Sequence, residues 1–266
     1  MPEAIARGVR LHYQRLGPRA APTRVVFVHG LVVDNLASWY FSVACGAATV
    51  ADVLVYDLRG HGLSERPKAG YRVDDMVLDL AGLLDETHGS APVCLVGNSF
   101  GALIALEFAR RFPERAAGLV LVDGHLGNDG FAERMAQTLS LRGAEADRAI
   151  ARTFQHWPGQ SSPRKRGKLL EQARALVLGT SLVDDLRSTP PLTPHDFTVI
   201  ETPTLALYGK ESDIVAESAP LLASMPCCTL DVLSGCTHSV LWEATGEVRA
   251  RTVAFCQERF AARGAA

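Results

Sequence analysis

No apolar run in this 266-residue chain reaches the about 20 residues that a membrane-spanning helix needs. Nor does the segment Met1 to Gly8 hold the apolar core of a secretory signal, so a cytoplasmic protein without a membrane partner is expected. Charge of one sign is also missing. Lys and Arg number 27 against 29 Asp and Glu, a balance that argues against nucleic acid as the main partner. The six cysteines (Cys45, Cys94, Cys227, Cys228, Cys236 and Cys256) show no metal-ligand spacing and read as reduced thiols. No internal repeat and no low-complexity tract interrupts the chain. What remains is a hydrophobic content of 47%, enough for one large domain, or a core with an insertion.

The stretch that organises the rest is Pro92-Val93-Cys94-Leu95-Val96-Gly97-Asn98-Ser99-Phe100-Gly101-Ala102-Leu103. A short apolar run, read as a buried strand, meets a G-x-S-x-G pentapeptide, and a helix-forming run follows from Ala102 to Arg111. Turning from strand to helix within about one residue holds Ser99 in a strained conformation. Gly97 and Gly101 leave the room that larger side chains would fill. Ser99 then projects at a helix N-terminus, where backbone N–H groups favour a developing negative charge.

Around this elbow, strands alternate with helical periods. Val9 to Gln14 alternates apolar and polar, as a half-exposed antiparallel edge strand would. Val25–Val28, Val53–Tyr56, Gly118–Val122, Thr204–Gly209 and Thr229–Leu233 read as further strands. A segment holding Trp39, Tyr40 and Phe41, then Asp74–Asp85 and Glu247–Phe260, read as helices. The expected fold class is α/β, a doubly wound and mostly parallel sheet. From His125 the strand rhythm stops. Phe131–Leu141, Ala149–Trp157 and Lys168–Leu186 read as amphipathic helices. The expected division is a core of residues 1–124 and 201–266, with a helical cap at 125–200.

A serine hydroxyl needs a base in hydrogen-bond reach, and the base needs a partner to orient it. Of eight histidines, His238 is best placed, in the loop Ser234-Gly235-Cys236-Thr237-His238 after the last strand. His12, His88, His156 and His195 read as solvated. Two aspartates could orient the base. Asp213 follows a strand that returns to the same sheet edge, and Asp123 ends the strand before the cap. The chain order Ser, Asp, His favours Asp213. Asp123 also reads as a turn or N-cap residue.

Val28-His29-Gly30, Asp57-Leu58-Arg59-Gly60-His61-Gly62-Leu63-Ser64, Gly97-Asn98-Ser99-Phe100-Gly101, Ser212-Asp213 and Gly235-Cys236-Thr237-His238 fall in one order. In that order the chain resembles the α/β-hydrolase family over most of its length outside the cap. The resemblance implies an oxyanion loop opened by His29-Gly30, with the backbone N–H groups of Leu31 and Phe100 as donors. It implies that His29 and His61 tie loops together. The elbow is similar to that of meta-cleavage-product hydrolases, which break carbon–carbon bonds. Leu31-Val32-Val33 and Ser239, however, stand where those enzymes carry glycines and a tryptophan. Ser99 excludes the chemistry of dehalogenases, which place an aspartate at the elbow.

The expectation is therefore a serine hydrolase of an ester or thioester with a small or medium apolar acyl group, working through an acyl-enzyme on Ser99. No cofactor or metal is expected. Carbon–carbon hydrolysis and a non-turnover binding member of the fold are the alternatives. Val32, Phe131, Trp157 and Trp242 are pocket candidates, with Met135 and Phe154 at helical spacing in the cap. Arg164-Lys165-Arg166-Gly167-Lys168 is a basic cluster that reads as a solvated turn or as a dock for an acyl carrier protein.

Overall fold

The computed structural model describes residues 2–126 and 163–264, together with positions 130, 133, 137, 145 and 148. Eight strands form one sheet: β1 (Glu3–Ala6), β2 (Val9–Leu16), β3 (Arg24–Val28), β4 (Asp52–Tyr56), β5 (Val93–Asn98), β6 (Ala116–Val122), β7 (Thr204–Gly209) and β8 (Cys228–Leu233). Their order is β1-β2-β4-β3-β5-β6-β7-β8. β2 runs antiparallel to β1 and to β4, and every other pairing is parallel. The sheet is mostly parallel, as the alternation of elements implies. One expectation is corrected: β2 is not the edge, because Glu3–Ala6 pairs outside it. Four residues are too few to show a period against a turn.

The strand period of two sorts side chains between two layers. Val26, Leu54 and Leu95 join one buried cluster, while Val25, Phe27, Val53, Val55, Cys94 and Val96 join the other. α1 (Ala37–Trp39) runs through a π-helical stretch, Tyr40–Ala44, into Cys45–Ala47 and covers the second face. α2 (Val73–Thr87) and α3 (Phe100–Arg111) cover the first. The periodic apolar residues Met76, Val77, Leu80, Leu83 and Leu84 of α2 are all buried. His12 and the His88 side chain are buried as well, contrary to the solvated role expected of them. The Asp57 carboxylate accepts from His12 Nδ1 at 2.8 Å, and His88 stands 3.6 Å from Asp52.

Between β6 and β7 lie α4 (Pro163–Val177), α5 (Leu182–Arg187) and α6 (Pro194–Thr198). The single helix expected over Lys168–Leu186 is thus two, parted at Leu178–Ser181 around Gly179, a poor helix former. α6 opens on a capping box, Thr193 with Asp196, and Pro194 in its first turn, a start signal the sequence does carry. The segments Phe131–Leu141 and Ala149–Trp157 lie outside the described residues, as does His156. After β7 come α7 (Val215–Ala223), α8 (Val240–Glu243) and α9 (Thr245–Gly264). No helix among the described residues is long and apolar enough to cross a membrane.

Candidate active site

Sheet register places Ser99. Asn98 pairs with Val122, so the next residues, Ser99 and Asp123, leave adjacent strands side by side. Ser99 has φ 53° and ψ −120°, a left-handed conformation of the kind that costs about 1–3 kcal/mol in a residue other than glycine. The two flanking glycines make this turn possible. A Cβ on Gly97 would strike the Gly101 carbonyl, and one on Gly101 would strike that of Val28.

Ser99 Oγ lies 3.1 Å from His238 Nε2, and His238 Nδ1 lies 2.6 Å from Asp123 Oδ2. The carboxylate of Asp123 can only accept, so Nδ1 carries the ring proton and Nε2 presents a lone pair to the serine hydroxyl. Asp123 is fully buried, at φ 43°. Its Oδ1 accepts from the Gly209 N–H at 2.8 Å, and its Oδ2 also accepts from the Ser212 hydroxyl at 2.6 Å. Three donors from two segments, the turn Gly209–Ser212 and the His238 loop, thus fix one carboxylate and compensate its burial. Asp213, the favoured acid on chain order, is exposed four residues beyond β7. Asp123 also falls between Ser99 and His238, so chain order never separated the two. Register does.

The His238 loop is held rather than loose. Glu243 accepts from the Thr237 N–H at 2.6 Å and from its hydroxyl at 3.0 Å. Gly209 admits this loop, since a Cβ there would meet the carbonyls of Cys236 and Thr237. His125, which the sequence reading passed over, adds a second imidazole. Its ring centroid is 5.1 Å from that of His238, and the backbone N–H of His125 donates to the Ser99 carbonyl at 3.2 Å.

The loop after β3 approaches the same point. A Cβ on Gly30 would stand 3.5 Å from that of Ser99. Within this loop the Gly30 N–H donates to Asp34 at 2.8 Å, the Val32 N–H to His61 Nε2 at 2.8 Å, and the Val33 N–H to the Leu31 carbonyl at 3.0 Å. Val32, at φ 73°, is therefore the strained centre of a γ-turn. His29 Nδ1 lies 2.6 Å from the Gly30 carbonyl and must donate to it, while its Nε2 accepts from the Leu58 N–H at 3.0 Å. In a trans peptide the N–H points opposite the carbonyl. With the Gly30 carbonyl drawn to His29, the Leu31 N–H faces the other way, and among the described residues it meets no acceptor. Phe100, the first residue of α3, presents its backbone at the helix N-terminus beside Ser99.

His61 works the same way, its Nδ1 on the Arg59 carbonyl at 2.8 Å. A ring that donates at one nitrogen and accepts at the other is neutral. Burial, with His29 5.2 Å away, accordingly pushes the His61 pKa down to about 3.

A cleft of about 600 Å³ opens at Phe100 and His125. Its described walls include Leu103, Glu107, Arg110 and Leu192, but neither Val32 nor Trp242. Val32 packs on the core cluster over α2 and α3, and Trp242 on the cluster of the opposite face. Phe131, Met135, Phe154 and Trp157 lie outside the described residues. Among the described residues no group of His, Cys, Asp or Glu could hold a metal ion.

A model of the alpha/beta hydrolase family matches residues 25–251. The chain belongs to that family. The chain is 38% identical over 122 residues to lipase LipV of Mycobacterium tuberculosis, a match over 46% of this chain and 44% of that protein. It covers less than half the length of the first curated relatives it matches. A longer match, 26% identical over 254 residues, is to 2-hydroxy-6-oxononadienedioate/2-hydroxy-6-oxononatrienedioate hydrolase of Burkholderia vietnamiensis, covering 88% of this chain and 86% of that one. In fold the chain is similar to the enol-lactonase of Burkholderia xenovorans, with a TM-score of 0.76 and 22% identity over 96% of this chain and 100% of that one.

Proposed function

We propose that this hydrolase cleaves esters or thioesters of small to medium acyl groups through an acyl-enzyme on Ser99. The observation that carries the reading is the unbroken relay from Ser99 Oγ through His238 to Asp123, with bonds of 3.1 and 2.6 Å. His238 Nε2 takes the hydroxyl proton as Ser99 attacks the carbonyl, then returns it to the leaving group. Asp123 holds the ring tautomer and stabilises the imidazolium. The amides of Leu31 and Phe100 receive the oxyanion. Each such donor is worth about 3 kcal/mol in the transition state. A water activated by His238 then releases the acyl group. No step calls for a metal or an organic cofactor.

The test is a panel of p-nitrophenyl esters and acyl thioesters on wild type and Ser99→Ala, with a fluorophosphonate probe. Turnover and labelling in wild type, both lost in the variant, support the proposal. A Ser99→Ala variant near full rate ends it. The Burkholderia vietnamiensis relative favours a second reading, carbon–carbon hydrolysis. Loss of a dienoic ketone chromophore, with esters untouched, would select it. Labelling without turnover of any substrate would leave a binding protein. Arg164 and Lys168 are exposed at the start of α4, where an acidic acyl carrier could approach. Equal release from carrier-bound and free thioesters would remove that partner.

A further inference from the structure

The cleft, whose described walls reach Phe100 and His125 next to Ser99 but not Ser99 or His238 themselves, does not stay apolar. It follows one face of α3, where Phe100, Leu103, Glu107 and Arg110 stand at helical spacing and all line it. Leu103 is apolar and buried, one turn from the nucleophile. One further turn on, the lining changes to an ion pair of a buried carboxylate, Glu107, with a partly exposed guanidinium, Arg110. Glu107 has a side chain 8% exposed and accepts from Arg110 Nε at 3.0 Å and Nη2 at 2.7 Å. The remaining guanidinium nitrogen, Arg110 Nη1, stands 3.9 Å from Asp196, too far for a hydrogen bond. Its hydrogens point to no acceptor among the described residues, and Asp196 lines the same cleft.

We propose that this cleft takes the acyl group, and that it selects acyl chains of about eight carbons ending in a hydroxyl. The inference rests on the serine-hydrolase reading and names its substrate class. Phe100 to Glu107 is seven residues, about 10 Å along the helix, the span of an extended chain of about eight carbons. A methyl end at that depth would strip water from the ion pair and return nothing. A hydroxyl end accepts from Arg110 Nη1 and donates to the carboxylate of Glu107 or Asp196. A carboxylate end would meet those two carboxylates as a like charge. The leaving group faces His238, which must protonate it, so the chain along α3 is the part that stays on Ser99.

The experiment compares p-nitrophenyl esters of acetate, butyrate, octanoate, 8-hydroxyoctanoate and suberate monoanion. Expected in wild type is kcat/KM for 8-hydroxyoctanoate at least tenfold above octanoate, with the suberate ester lowest. Arg110→Met, whose guanidinium is partly exposed, should abolish the hydroxyl preference, bringing 8-hydroxyoctanoate and octanoate to equal rates. Should that variant not fold, Leu103→Trp, about two turns nearer the nucleophile, should lower both eight-carbon esters at least tenfold relative to acetate. Equal rates for hydroxyl and methyl ends, a suberate preference, or no effect of Leu103→Trp would each overturn the proposal. Good turnover of butyrate beside any of these results leaves the serine-hydrolase reading standing. No turnover of any ester, without fluorophosphonate labelling, sinks that reading instead.

Discussion

Asp123 Oδ2 sits 2.6 Å from His238 Nδ1, and the same oxygen receives the Ser212 hydroxyl. Asp213, one residue further on, turns outward to solvent. Asp123→Asn keeps the shape of the site but offers Nδ1 no carboxylate. It is expected to lower kcat about 10³- to 10⁴-fold on a p-nitrophenyl ester. Asp213→Asn should leave kcat within about twofold. Steady-state kinetics on the two variants checks both, and a reversed pattern would return the role to Asp213.

The turn at Ser99, the loop of His238 and the loop after β3 are legible in the sequence because each is local: a strand and the few residues that follow it. Ser99 and its flanking glycines are the clearest case. The acid is not local. Asp123 and Asp213 both follow a strand and both precede His238, and only the pairing of Asn98 with Val122 puts Asp123 beside Ser99. His12 and His88 were misplaced for a related reason. Their burial comes from carboxylates 45 and 36 residues away in sequence, Asp57 and Asp52, which no short window contains. Val32 and Trp242 are close in sequence to the site; both are half-buried, and each packs against a core layer without lining the described walls of the cleft.

Two buried histidines hold the loop after β3, His29 through the Gly30 carbonyl and His61 through the Val32 N–H. Removing the acceptor for Val32 frees a γ-turn strained at φ 73° and lets the adjacent Leu31 amide turn. His61→Ala is expected to lower kcat about 10- to 100-fold with KM within about threefold, since the interaction lost forms in the transition state. Phosphonate inactivation should slow in parallel. A variant that raises KM alone would show that the loop binds substrate and does not serve the oxyanion.

Stability should fall on the acid side of neutrality. Burial, with the charge of Arg15 next, lowers the His88 pKa to about 4, and that of His61 is about 3. Both lie below the 6.5 of an exposed imidazole. Between these values the unfolded chain binds the extra protons, so folding weakens as pH drops from about 6.5 towards 4. Asp185 adds to this lower down. Burial opposes its ionisation, but bonds from Ser181 and the Tyr71 and Gly70 amides bring its pKa below the usual range. Its share is lost as pH falls through the carboxylate range. Urea midpoints between pH 7 and 4.5 should decline, and His88→Gln should flatten the slope. An unchanged slope in that variant would assign the acid sensitivity elsewhere.

Glycines at the two ends of a scale of crowding give the last prediction. A Cβ on Gly101 would run into the Val28 and His29 carbonyls, backbone atoms that cannot rotate aside. Gly101→Ala should therefore push α3 off β3, lose activity with Ser99 intact, and lower the thermal midpoint or block folding. Gly167 lies exposed within α4, at an ordinary helical position with no atom within 4 Å of the added carbon. There the substitution removes backbone freedom from the unfolded chain and adds no clash. Gly167→Ala is expected to stabilise by about 0.5–1 kcal/mol, with ester turnover unchanged. Thermal melts on the pair decide it. A destabilised Gly167→Ala would mean that the start of α4 is packed against something, and a fully active Gly101→Ala would mean that the elbow tolerates a wider turn than its contacts allow.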